Sequence, residues 1–178
     1  MKNYGRFVFS VMAMAAMAMV VTPALAQKDA GSKARGEHSV PFWSSKASQR
    51  HFEGARNYSN DFRGYVQANP KPSPVVVKEV MTGIGHNFAE AKKHLAQMKT
   101  HYAANKSAVT AIEGLEKQLV VAYDHHDKLM ACCNDATFDA MKTMACCEDL
   151  AAEMDKILDS HTKLMDSLAP KAVAPAKK

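Results

Sequence analysis

Apolar residues recur at three- and four-residue spacing through four long segments of the chain, and hardly anywhere alternate in the twofold pattern of a strand. In the first segment, from about Ser45 to Gln67, the positions Phe52, Ala55, Phe62 and Val66 fall on one helical face. The run Asn69-Pro70-Lys71-Pro72-Ser73-Pro74 stops it. Ser73 suits a helix N-cap, and Pro74 suits the first helical position, where no amide hydrogen is needed. The second segment extends to about Ala104, with the stripe Val77, Met81, Ile84, Phe88, Ala91, Leu95, Met98 and Tyr102. Asn105-Lys106-Ser107 reads as a turn, with Ser107 capping the third segment. That segment buries Ile112, Leu115, Leu119, Ala122, His126, Leu129 and Cys133. Asn134-Asp135 is the next turn and cap signal. The fourth stripe is Met144, Cys147, Ala151, Met154, Leu158, His161, Met165 and Leu168.

Four such helices with short joints predict an all-α protein, an antiparallel up-down-up-down four-helix bundle over residues 45–168. The sustained seven-residue repeat argues for near-parallel crossing. Residues 27–44 are polar and Gly-bearing, which predicts a flexible lead. Residues 169–178 (APKAVAPAKK) predict a disordered tail with nothing to bury. Residues 1–26 have the plan of a secretory signal peptide, with Lys2 and Arg6, then an apolar run from Phe7 to Val21, then Ala24-Leu25-Ala26 as the cleavage signal. The apolar run is shorter than the ~20 residues of a bilayer span, and Pro23 breaks it. The expected product is soluble and periplasmic or secreted, cut after Ala26, with no membrane span remaining. Without Lys2 and Arg6 the basic count falls from 23 to 21 against 18 acidic residues. These charges are interspersed, so the concentrated basic face of a nucleic-acid binder is missing.

An exported chain can keep disulfides, which gives its four cysteines weight. All four lie in two copies of one motif, Met130-Ala131-Cys132-Cys133 and Met144-Ala145-Cys146-Cys147. If the turn between helices 3 and 4 centres on Asn134-Asp135, the numbers of facing residues sum to about 270. Met144 then lies level with His126, and Cys147 with Tyr123. On helix 3, His126, Met130 and Cys133 share one face; His125, Cys132 and Cys146 are rotated about 100° from their inward neighbours. Cys133 and Cys146 would stand ~13 Å apart along the axis, too far for a disulfide, whose Cα atoms lie within about 7 Å. Unpaired or metal-bound thiols are therefore preferred. An irregular loop from Lys128 to Thr137 would instead allow an intramolecular disulfide, and bridges to a second copy would make a homodimer.

Thiolate, thioether and imidazole together favour Cu(I), since Met is a poor ligand for zinc and for hard cations. Zinc can still be held by Cys and His alone. Haem is disfavoured: no Cys-x-x-Cys-His occurs, leaving only a non-covalent His/Met site. The Glu-x-x-His pairs of di-iron bundles are also missing, Glu90 and His94 being one residue too far apart. His86, His94 and His101 fall off the apolar stripe of helix 2 and read as solvated helix polarity; a weaker second site is conceivable where His101 comes level with His161. No serine elbow, phosphate loop or zincin motif supports catalysis.

The layout is similar to exported four-helix copper-storage proteins, which line a bundle with cysteines. Those carry many more cysteines on all their helices, so no residue is carried across. The sequence thus predicts an exported, non-enzymatic, soft-metal-binding bundle, with copper first, serving homeostasis, storage or transfer. Its core ligands are His126, Cys147, Met130 and Met144, with Cys133, Cys132, Cys146 and His125 as an outer set. A protein that donates or accepts the metal is the implied partner. The rival reading is a helical envelope stress or adaptor protein with redox or dimerising cysteines; a haem-binding electron carrier is third.

Overall fold

The computed structural model describes residues 39–134 and 138–169. The expected signal peptide, most of the expected lead and residues 170–178 of the tail lie outside them. Four helices account for nearly all of the described chain: α1 (Val40–Ala68), α2 (Pro74–His101), α3 (Lys106–Asn134) and α4 (Ala140–Leu168). No strand occurs among the described residues. At 1.5 Å per residue each helix is roughly 42–44 Å long. Contacts run α1 to α2, α2 to α3, α3 to α4 and α4 back to α1. This closed ring of sequential neighbours is the expected up-down-up-down bundle. No described helix is long and apolar enough to cross a membrane.

Side chains and the chain's own punctuation set the helix ends, not always where the sequence suggested. Ser39 caps α1 by accepting the Phe42 amide hydrogen at 3.4 Å, with Pro41 in the first turn. The helix therefore begins five residues before Ser45 and takes in the end of the expected lead. Pro74 opens α2 as predicted, but the Ser73 side chain makes no cap bond. Its backbone N–H donates instead to the Tyr65 hydroxyl at 3.0 Å, so the aromatic end of α1 holds the joint. α2 stops at His101, short of Ala104. Asn105, not Ser107, caps α3: its Oδ1 accepts from the Ala108 amide at 3.1 Å and from the Ser107 hydroxyl at 2.8 Å. α3 continues through Asn134, and Asp139 caps α4 by accepting from the Lys142 amide at 3.1 Å. The last joint is thus longer than a turn at Asn134-Asp135.

The predicted stripes fill the core. Phe52, Phe62, Phe88, Leu95, Leu119 and Met154 are fully enclosed or nearly so. On α4 the stripe is wider than expected, with Leu150, Ile157 and Leu164 also buried. α1 differs in kind, because four serines (Ser44, Ser45, Ser48 and Ser59) are buried on its inner face. Each hydroxyl is satisfied. Ser44 donates to Gln97 Oε1, Ser45 and Ser48 meet His161 Nε2, and Ser59 donates to the Cys147 carbonyl at 2.9 Å. Among the described residues no buried side-chain nitrogen or oxygen lacks a partner. Unpaired, such groups would each cost on the order of 1–3 kcal/mol.

Candidate metal-binding clusters

The two Met-Ala-Cys-Cys motifs meet near the joint of α3 and α4. Cys132 Sγ and Cys146 Sγ lie 3.3 Å apart, which corrects the expected register. The facing pair sums to 278, eight residues beyond the 270 of a turn at Asn134-Asp135, because α4 starts only at Ala140. The distance argument against joining the two motifs falls with that register. The inward choice on α3 also changes: Cys132 is buried and Cys133 half-buried. The stripe steps from Leu129 to Cys132, three residues on rather than four. On α4, Cys147 is buried and Cys146 half-buried, as expected.

Burial and neighbouring sulfurs shift three of the thiols. Burial pushes the Cys133 thiol up to about 11, and charge on Cys132 or Cys146 would add to this. Burial, followed by the hydrogen bond with Cys132, raises Cys146 to about 11. Burial raises Cys147 to about 12, with Cys133 next in effect. These are neutral thiols at pH 7, poor nucleophiles, grouped where a thiophilic ion would have to displace their protons. Met130 and Met144 are half-buried against the core beside them. Met130 and Cys133 also line an apolar groove of about 650 Å³ with Met81, Val77 and Phe138.

Of the two histidines expected at this centre, His126 turns toward α2. His126 is buried against α2, where its Nε2 donates to the Met81 carbonyl at 3.1 Å and its ring meets Phe88 edge-on at 5.9 Å. A carbonyl only accepts, so Nε2 carries the proton. Nδ1 lies 3.9 Å from Asp127 Oδ1. Burial lowers the pKa of His126, which favours the neutral ring. Cys147 packs toward α1 and the other cysteines. His126 and Cys147 thus have separate neighbours, and the expected pairing of Met144 with His126 gives way to that of Cys146 with Cys132. His125 is half-buried.

A second cluster lies between α1 and α2. One ligand atom each from His51, Glu90 and His94 lie within 4.8 Å of one another, and all three residues are half-buried. Among the described residues this is the one group of three or more His, Cys, Asp or Glu side chains that meets so tight a limit. The thiols fall outside it, since no third sulfur is within that distance of both Cys132 and Cys146. The bundle therefore carries a His/Glu group able to hold a metal ion. His94 is not merely solvated polarity: its ring stacks on His51 at 5.8 Å with 12° between planes. His51 was not singled out in the sequence, although the joint centred near Lys71 sets it level with Glu90. His161 is buried between Ser45 and Ser48, with its Nε2 3.3 and 3.1 Å from their hydroxyls. His101 packs on Tyr102, its neighbour in the chain.

No family model matches the chain, and no curated protein or solved structure does either.

Proposed function

We propose that this protein is an exported, non-enzymatic metal-binding bundle that holds copper(I) at its cysteine cluster, for storage or transfer. The observation that carries the reading is the 3.3 Å contact of Cys132 Sγ with Cys146 Sγ, with Cys133 and Cys147 beside them. Metal–sulfur bonds of ~2.3 Å at a tetrahedral angle set two sulfurs roughly 3.8 Å apart. The pair needs to open by about half an ångström to take an ion. A disulfide, at about 2.05 Å, needs a closure of more than 1 Å. Thiols held neutral by burial at Cys133, Cys146 and Cys147 suit a soft monovalent ion, which brings less charge into the core than a divalent one. His126, whose Nε2 is held by the Met81 carbonyl, is left out of this ligand set. Zinc is the second ion the thiols can accept.

The test is titration of the reduced protein with Cu(I) against a chromogenic Cu(I) chelator. The expected result is copper withdrawn from the chelator by the full chain, with at least a tenfold weaker hold in Cys132→Ser and Cys147→Ser. No competition, or competition unchanged in both variants, overturns the reading. The second reading, a redox-active or dimerising envelope protein, draws on the same short contact. It predicts intact-mass loss of two hydrogens, or a covalent dimer, on isolation without reductant.

A further inference from the structure

We propose that His51, Glu90 and His94 form a second site, independent of the cysteines, for a borderline divalent cation of the zinc type bridging α1 and α2. The three residues converge from two helices. Glu90 and His94 are one turn apart on α2, and His51 reaches across from α1 at the same level.

The protons of the rings are set by the groups behind them. Asn87 Nδ2 donates to the Gly83 carbonyl at 2.9 Å, so the other end of that amide, Oδ1, is the atom facing His51. An amide oxygen only accepts, and it lies 2.9 Å from His51 Nδ1. Nδ1 of His51 therefore carries the hydrogen when the ring is neutral, and Nε2 keeps a lone pair. His94 repeats the arrangement: its Nδ1 lies 3.0 Å from Gln97 Oε1, which also accepts from the Ser44 hydroxyl at 3.0 Å. A carbonyl-type oxygen behind one ring nitrogen, fixing the tautomer for the other, is the usual support of a metal-ligating histidine. Here both imidazoles have it, and one amide is anchored in turn by backbone.

Glu90 supplies the charge. Lys93 holds its Oε2 at 3.1 Å and lowers its pKa through that hydrogen bond, with His86 and His51 contributing when charged. The Lys93 ammonium is largely in solvent, so this pair is weak and readily exchanged for an ion. Oε1 remains for coordination. Two imidazoles and a carboxylate suit zinc or a neighbouring divalent transition metal and leave a coordination position open to water. Hard cations prefer all-oxygen sets, and Cu(I) prefers the sulfurs. The site lies far from the thiols. His51 and Glu90 stand level with about residue 121 of α3, some eleven residues from Cys132, which is roughly 16 Å along the axis.

Cobalt(II) tests the proposal, because its absorption reports the ligand type. The expected spectrum for the reduced full chain includes a d–d band that persists in Cys132→Ser and in Cys147→Ser, whatever sulfur-to-cobalt charge transfer accompanies it, and that is lost on addition of zinc. Affinity should fall at least tenfold in Glu90→Gln and in His94→Ala, with helicity by circular dichroism and Cu(I) uptake both unchanged. Glu90→Gln keeps the side-chain shape, so its effect is not one of folding. A spectrum carrying only thiolate charge transfer, no cobalt binding at millimolar concentration, or equal affinity in both variants overturns the proposal.

Discussion

Cys132 on α3 and Cys146 on α4 stand in sulfur-to-sulfur contact at 3.3 Å, each the first cysteine of its pair. An external low-molecular-weight disulfide should therefore oxidise this pair to an α3–α4 bridge before Cys133 or Cys147 reacts. The attacking species is the thiolate, and Cys146 titrates at about 11. Only ~1 in 10,000 of its thiols is ionised at pH 7. The oxidation rate should rise about tenfold per pH unit from 7 toward 10. Peptide mapping of trapped samples checks both the pairing and the slope. A rate independent of pH, or first bridging through Cys147, contradicts the assignment.

Phe88 is the hub of the α2–α3 interface. It is fully buried, with its ring 4.9 Å from Tyr123 and 5.9 Å from His126. Phe88→Ala should destabilise the bundle by about 3–5 kcal/mol, through lost transfer energy and a cavity that α2 and α3 cannot close. Urea unfolding with an unchanged slope is the readout.

His161 makes the fold sensitive to acid. Burial, then the neighbouring Lys46, lowers its pKa from 6.5 to about 4. The neutral ring is the form the folded state holds, between Ser45 and Ser48. Its contribution is complete above pH 6.5 and is lost as pH falls toward 4, where the folded protein must also protonate it. The total change is about 3 kcal/mol. His161→Gln should flatten the stability profile across that window while leaving the slope from carboxylates. An unchanged slope between pH 6.5 and 4 would mean that His161 is not buried neutral.

Gly54 controls the second cluster from behind. A methyl group there would lie 2.8 Å from Asn87 Oδ1, the atom that positions His51. Gly54→Ala should displace that amide and weaken zinc binding about tenfold. Overall stability should change little, because alanine gains up to ~1 kcal/mol of helix propensity over glycine. Calorimetric zinc titration with a parallel melt separates the two effects.

The fold was legible because burial follows the 3.6-residue period: Phe52, Ile84, Ile112 and Met154 all lie where the stripes put them. The thiol cluster depends on a helix register that the sequence does not carry. A sequence shows where polar turn residues occur, but not that α3 would run through Asn134 and leave Asp139 to cap α4. Eight residues of slip at that joint account for the ~13 Å expected between Cys133 and Cys146. His51 is hidden in the sequence for a different reason. It matches no local motif, and its partners, Glu90 and His94, lie some forty residues away. Folding the well-marked Pro-rich joint back on itself would have revealed it.

The serines buried along α1 give the bundle a polar seam. On the inner face of α1 they alternate with Phe52, Ala55, Phe62 and Val66, so hydroxyl bonds to α2 and α4 share that face with apolar packing. Amide hydrogen exchange should then be faster in the first turns of α1, where Ser44, Ser45 and Ser48 are buried, than in its stretch from Phe52 to Phe62. Both the His51 cluster and the Ser59 contact to Cys147 are made by this helix. An ion clasped by His51 would slow that opening, and by reciprocity whatever loosens the start of α1 would loosen the ion.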